Sequence, residues 1–182
     1  MTRVLSVVVA TMAALAAWQT APAKAQPASP ATAQPAAAIE TLTEKEVPAT
    51  VTARMKCKSA SGPMTRRPFA GGFVFSQSCG EGADTLVRVV FAKDRNGADA
   101  RLLQFHRPEG RRMSALATVV FQPAENEISG TTGRLTRRVC RAEGRWRMEG
   151  KQPAPGLVYW RQTRDCDGKA GWQTVIGRAR DR

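Results

Sequence analysis

The chain has 182 residues, a formal net charge of +13, four cysteines and one histidine. That length suits a single domain. The sole histidine, His106, is the only one a Ser-His-Asp or Cys-His site could use, and no G-x-S-x-G elbow, phosphate loop or dinucleotide fingerprint occurs.

Residues 1–25 read as a secretory signal peptide. Arg3 supplies a short positive region, Val4 to Ala17 is apolar, and Ala23-Lys24-Ala25 is an A-x-A cleavage pattern. The apolar run is shorter than the roughly 20 residues a membrane-spanning helix needs. No later stretch is apolar enough to span, so the mature chain is expected to be soluble, without a transmembrane span, and periplasmic or secreted. Residues 26–48 read as a Pro/Ala-rich linker, with prolines at 27, 30 and 35 and no large apolar residue before Ile39. A single β domain is then expected over residues 49–182.

Alternation with period two dominates that domain. Val51, Ala53, Met55 and Cys57 alternate with Arg54, Lys56 and Lys58, which predicts a half-buried first strand with a basic outer face. Ser61-Gly62-Pro63 breaks it. Strands are expected over Gly72 to Cys79 and Thr85 to Lys93. Asn96-Gly97 signals a hairpin, and Arg101 to His106 the returning strand. Ala115 to Gln122 is the next strand, and Gly130 to Gly133 reads as a loop. Leu135 to Arg141 and Arg145 to Glu149 read as two strands around an Ala142-Glu143-Gly144 turn. Pro153 and Pro155 forbid a central strand in that stretch. Leu157 to Arg164 and Trp172 to Arg178 close the chain around Asp167-Gly168-Lys169. The fold class is therefore all-β: an antiparallel meander of about eight or nine short strands, a sandwich or a small barrel. Two segments resemble each other. Cys57, Gly72-Phe73-Val74-Phe75 and Cys79 run parallel to Cys140, Gly156-Leu157-Val158-Tyr159 and Cys166, which would suit two related β units.

In an exported chain four cysteines imply two disulfides. The favoured pairing is Cys57–Cys79 with Cys140–Cys166, each closing a local unit. C-x₂₋₄-C spacing is absent, so no zinc site is expected, and no metal or cofactor is assigned. Asp165-Cys166-Asp167-Gly168 begins like a calcium loop but has Ile176 where the closing glutamate belongs, and an Asx-Gly turn is the better reading.

The cations are uneven. Gly130 to Arg182 carries 13 Lys and Arg against 5 Asp and Glu. Arginine pairs with phosphate and carboxylate and stacks on rings. The candidate binding residues are Arg54, Lys56, Lys58, Arg145, Arg147, Trp160 and Arg161. Partners expected of such a face are an anionic envelope polymer, a lipid headgroup or an acidic protein; the compartment argues against nucleic acid. The leading reading is a non-enzymatic exported binding module. The alternatives are an envelope hydrolase using carboxylates, for which Glu143 and Glu149 would be the pair, and an inhibitor of a secreted hydrolase with a disulfide-stapled loop. Trp146 is expected in the core, because its arginine neighbours must point the other way.

Overall fold

The structure, a computed structural model, describes residues 38–80, 85–133, 139–149, 155–164, 166 and 171–177. The expected signal peptide, the Leu135–Arg138 end of one expected strand and the Asp167-Gly168-Lys169 turn lie outside these residues. Strand structure is present before Ala49, within the stretch expected to be linker. Glu40–Leu42 forms strand β1, pairs with a later strand and buries Leu42. Thr43 then caps a 3₁₀ turn, Glu44–Glu46, in a capping box: the Glu46 carboxylate accepts the Thr43 backbone N–H at 2.8 Å.

The expected first strand is a helix. Ala49–Met55 forms α1, starting after Pro48 and ending at Lys56 in the left-handed region, φ 47° and ψ 40°. The alternating residues Val51 and Met55 are also an i, i+4 pair, and both are fully buried while Ala53 stays exposed. The helix wins because the sheet beneath it needs a cover. Val51 and Met55 pack with Leu42, Met64, Phe75, Val90 and Ala92 in one apolar cluster. Arg54, Lys56 and Lys58 are all exposed, but on a helix and the turn after it, so the single strand face expected for them does not exist.

The first sheet runs β1, β2 (Met64–Phe69), β3 (Gly72–Cys79), β4 (Leu86–Ala92), β5 (Arg101–Leu102), antiparallel throughout. Strand β2 is not foreshadowed in the sequence reading. It turns into β3 through Ala70-Gly71, both at positive φ as a two-residue hairpin of the mirror-image type requires. After Asn96-Gly97 the return strand splits. Arg101–Leu102 pairs with β4, whereas β6 (Phe105–His106) leaves to pair with β7 (Arg112–Met113) in a two-stranded sheet.

The second sheet runs β8 (Thr118–Gln122), β9 (Glu127–Thr132), β10 (Arg141–Met148), β11 (Pro155–Thr163), β12 (Gln173–Ile176), again antiparallel. Two glycine readings change here. Gly130 sits inside β9, not in a loop; a Cβ there would meet the Thr118 carbonyl oxygen at 2.4 Å, so glycine permits close strand approach. Ala142-Glu143-Gly144 is not a turn but the middle of one eight-residue strand. Gly144 lies two residues before Trp146 on the same face, and the indole covers it: an added Cβ would stand 2.3 Å from the ring. Contrary to the expectation, Pro155 belongs to a central strand: it opens β11, which lies between β10 and β12, and the first residue of a strand is where proline is tolerated.

The two five-stranded sheets share one core. Phe69, Val74, Val89 and Phe91 from the first meet Phe121, Ile128, Trp146, Met148 and Trp160 from the second, with Leu103, Phe105 and Leu116 from the connections. Trp146 is edge-on to Trp160 at 6.2 Å, and its indole N–H donates to the His106 carbonyl at 2.8 Å. That bond satisfies the one polar atom of the buried ring. A bridge between Val87 and Leu116 ties β4 to the segment before β8. The fold is all-β, with paired open sheets and no closed barrel. Both disulfides form as favoured, Cys57–Cys79 and Cys140–Cys166, at Cα separations of 5.3 and 5.2 Å. Each staples the open end of the hairpin at the middle of its sheet, β2–β3 or β10–β11. No helix among the described residues is long and apolar enough to cross a membrane.

Candidate functional site

The candidate residues divide into two groups. Arg145, Arg147 and Arg161 do lie on the outer face of the second sheet, opposite Trp146. They are not a free cationic surface. Across the β9–β10 register Arg147 faces Glu127, a carboxylate whose side chain is only 1% exposed. The Arg147 Nη2 and Nε groups donate to Glu127 Oε1 at 2.6 and 3.2 Å. That bond raises the Arg147 pKa above its ordinary value. Arg145 stands 3.9 Å from the same carboxylate and stacks over the Tyr159 ring. One strand further, Arg161 donates to Glu143 at 2.8 Å and lies over the Trp172 ring at 4.7 Å. This face is a ladder of arginines held by carboxylates and rings. Trp160 is fully buried between the sheets, its N–H on Gln162 at 3.2 Å; it cannot meet a ligand. Glu143, one of the two carboxylates weighed for hydrolysis, is committed to Arg161, and Glu149 follows β10 as an exposed residue.

Arg54, Lys56 and Lys58 behave differently. They lie at the end of α1 and in the turn leading to Cys57, and no carboxylate among the described residues pairs with them. Two adjoining depressions use them. One, of about 500 Å³, is lined by Arg54, Lys56, Arg101 and Asp99 over Ala100 and Leu102. The other, of about 410 Å³, is lined by Lys56, Lys58 and Arg88 over Leu86, Ala115 and the Cys57–Cys79 disulfide. Lys56 belongs to both. Among the described residues Asp99 is the one acid in either lining, and Lys93 beside it already holds its carboxyl below the ordinary range.

The local sequence builds this shelf. Thr50 in the first turn of α1 donates to the Gly97 carbonyl at 2.9 Å, which fastens the helix to the β4–β5 hairpin and so sets Arg54 beside Arg101. That hairpin is itself held by Asp94, whose Oδ1 accepts the backbone N–H groups of Asn96 and Ala98. Arg88 donates to the Met55 carbonyl at 2.9 Å, an acceptor left open at the helix end. The disulfide then pins the turn carrying Lys56 and Lys58 to the end of β3. Arg88 and Arg101 were missed in the sequence reading. Both sit in strand segments, and only the docking of α1 brings them to the lysines.

No family model, curated protein or solved structure matches the chain.

Proposed function

We propose that this is an exported, periplasmic or secreted, non-enzymatic module that binds an anionic envelope component on the shelf formed by Arg54, Lys56, Lys58, Arg88 and Arg101. The observation that carries this reading is the contrast in charge pairing. Arg145, Arg147 and Arg161 of the second sheet are matched by Glu127 and Glu143, whereas five cations line two adjoining depressions whose one acid among the described residues is already paired with Lys93. Arg54, Lys56 and Lys58 are exposed and have no carboxylate partner among the described residues, so an incoming anion meets no competing protein carboxylate at them, and its attraction offsets the water they give up. Depressions of this size fall in the range of small-ligand sites. The two disulfides fit an oxidising compartment, as does the leader-like start of the chain.

The test is a salt series. Binding to polygalacturonate, a polymer of uniform negative charge, weakens steeply as salt rises, since exposed charges are screened beyond about 8 Å at physiological ionic strength. Replacing Arg54, Lys56 and Lys58 with glutamine lowers affinity by about tenfold or more at low salt. Replacing Arg161 with glutamine leaves affinity unchanged, because Glu143 already holds that cation. Equal binding by the triple variant and the parent would refute the shelf as the site.

A further inference from the structure

We infer that the shelf takes successive units of a linear acidic polysaccharide, not one isolated anion and not an acyl chain. This rests on the anion-binding reading above and adds the ligand class. Each depression combines cations with a short apolar floor, and the first also holds Asp99, which Lys93 pairs. The floors are Ala100 with Leu102 in one, and Leu86 with Ala115 and the disulfide in the other. Leu86 is one of few large apolar side chains left exposed among the described residues. An acyl tail needs one unbroken apolar slot. Here the apolar side chains fall in two groups, one in each depression, and Lys56 lines both. A uronic acid chain presents that alternation: in each unit, a ring with an apolar face and a carboxylate. Two adjoining units would set their rings on the two floors, with Lys56 serving both carboxylates.

Lys56 carries a second mark. It ends α1 in the left-handed conformation, a place where glycine is usual and where a side chain is strained. Its N–H makes only a long bond, 3.5 Å, to the Thr52 carbonyl. A lysine kept where glycine would fit better is explained by a use for its ammonium group.

The experiment measures binding of mono-, di- and tetragalacturonate, of the methyl-esterified tetramer, and of a polyphosphate of the same charge as the tetramer. Affinity rises by about tenfold or more from monomer to dimer, as a second site of contact on one chain should produce. Esterification abolishes it, and the polyphosphate binds at least about tenfold more weakly than the tetramer, since it has no ring faces to lay on the floors. Lys56→Gly melts a few degrees higher than the parent yet loses the gain from monomer to dimer. Leu86→Ala weakens the tetramer and leaves polyphosphate unchanged. Monomer and dimer binding equally would overturn the two-unit site while anion binding stood. Polyphosphate binding as tightly as the tetramer would overturn the sugar. No binding of any of these probes would overturn the anion-binding reading itself.

Discussion

The two five-stranded sheets share an inner face but differ on the outer one. The first sheet is covered on its far side by α1, so β4 buries residues in both directions: Val89 and Phe91 into the shared core, Val90 and Ala92 under the helix. The second sheet keeps a polar outer face, and β10 alternates cleanly, with Ala142, Gly144, Trp146 and Met148 inside and Glu143, Arg145 and Arg147 outside. The consequence for charge is the reverse of what composition suggests. On the second sheet Arg145, Arg147 and Arg161 are held within the sheet by Glu127 and Glu143, because cross-strand neighbours on a half-buried face must be electrically matched. The first sheet buries its outer face under apolar side chains, and Arg54, Lys56 and Lys58 at the end of its cover meet no carboxylate among the described residues. Density of arginine in a sequence is therefore a poor guide to which cations stay without a carboxylate partner. Pairing across the register decides it.

The strongest way to break this comparison is to damage what both sheets share. Trp146→Ala removes a fully buried ring, leaves the His106 carbonyl without its donor and uncovers Gly144. It should cost about 3–5 kcal/mol, measured by chemical denaturation, and should lower the stability of the domain as one unit. A two-step transition, with the first sheet unfolding separately, would show that the cores are independent. The disulfides come next. Their separations are 22 and 26 residues, so replacing either pair with serine should cost nearly the same, about 3 kcal/mol in the chain-entropy model. Their effects on binding should diverge. Losing Cys57–Cys79 frees the turn that carries Lys56 and Lys58 and weakens anion binding in the folded protein. Losing Cys140–Cys166 leaves binding intact. Equal effects on binding would put the ligand elsewhere.

Much of the second sheet was readable in advance. Cys140–Cys166 is local, the β10 side chains alternate, and Trp146 sits between two arginines that cannot share its face. The first sheet was less so, for a definite reason. Where both faces of a sheet are buried, period two no longer distinguishes inside from outside, and the basic run from Arg54 to Lys58 imitates a strand. The signals for α1 were present in Pro48 just before it and the Val51–Met55 spacing. Only the sheet's need for a cover tips that spacing toward a helix. Gly130 and Gly144 were read as turns because a glycine that makes room for a neighbour looks, in sequence, like a glycine that bends the chain. The Glu127–Arg147 pair lies 20 residues apart and is set by register alone. The shelf was half legible: its lysines and Arg54 were candidates, but Arg88 and Arg101 join them only through tertiary packing.

Gly144→Ala separates these readings of glycine and acts on the shared core through Trp146. A turn glycine at ordinary negative φ would tolerate alanine. A Cβ at 2.3 Å from the Trp146 ring forces the indole to move, at a cost of about 1–3 kcal/mol. A stability unchanged within error would mean that the ring rests elsewhere. Near-ultraviolet circular dichroism should report the displaced indole even if the domain stays folded.

The smallest effect belongs to the edge of the first sheet, where one carboxylate serves two arginines. Glu40 on β1 accepts from Arg66 Nε at 2.9 Å and from Arg95 Nη2 at 2.7 Å. The hydrogen bond from Arg66, with further help from Arg95, holds its carboxyl below the ordinary value of 4.5. A carboxyl with a folded pKa below its unfolded one favours folding above the unfolded value. The contribution fades as pH falls through the folded one. Glu40→Gln should therefore melt below the parent at neutral pH, and the two melting temperatures should converge as pH drops below 4.5. Because the site is solvent-exposed, raising the salt concentration should also narrow the difference. A difference that persists at low pH would mean that β1 is held by its backbone pairing with Thr65 and Leu42's burial, with the charge incidental. A difference as large as that of Glu127→Gln would mean that an exposed edge pair and a buried face pair contribute alike, and the contrast drawn between the two sheets would lose its electrostatic half.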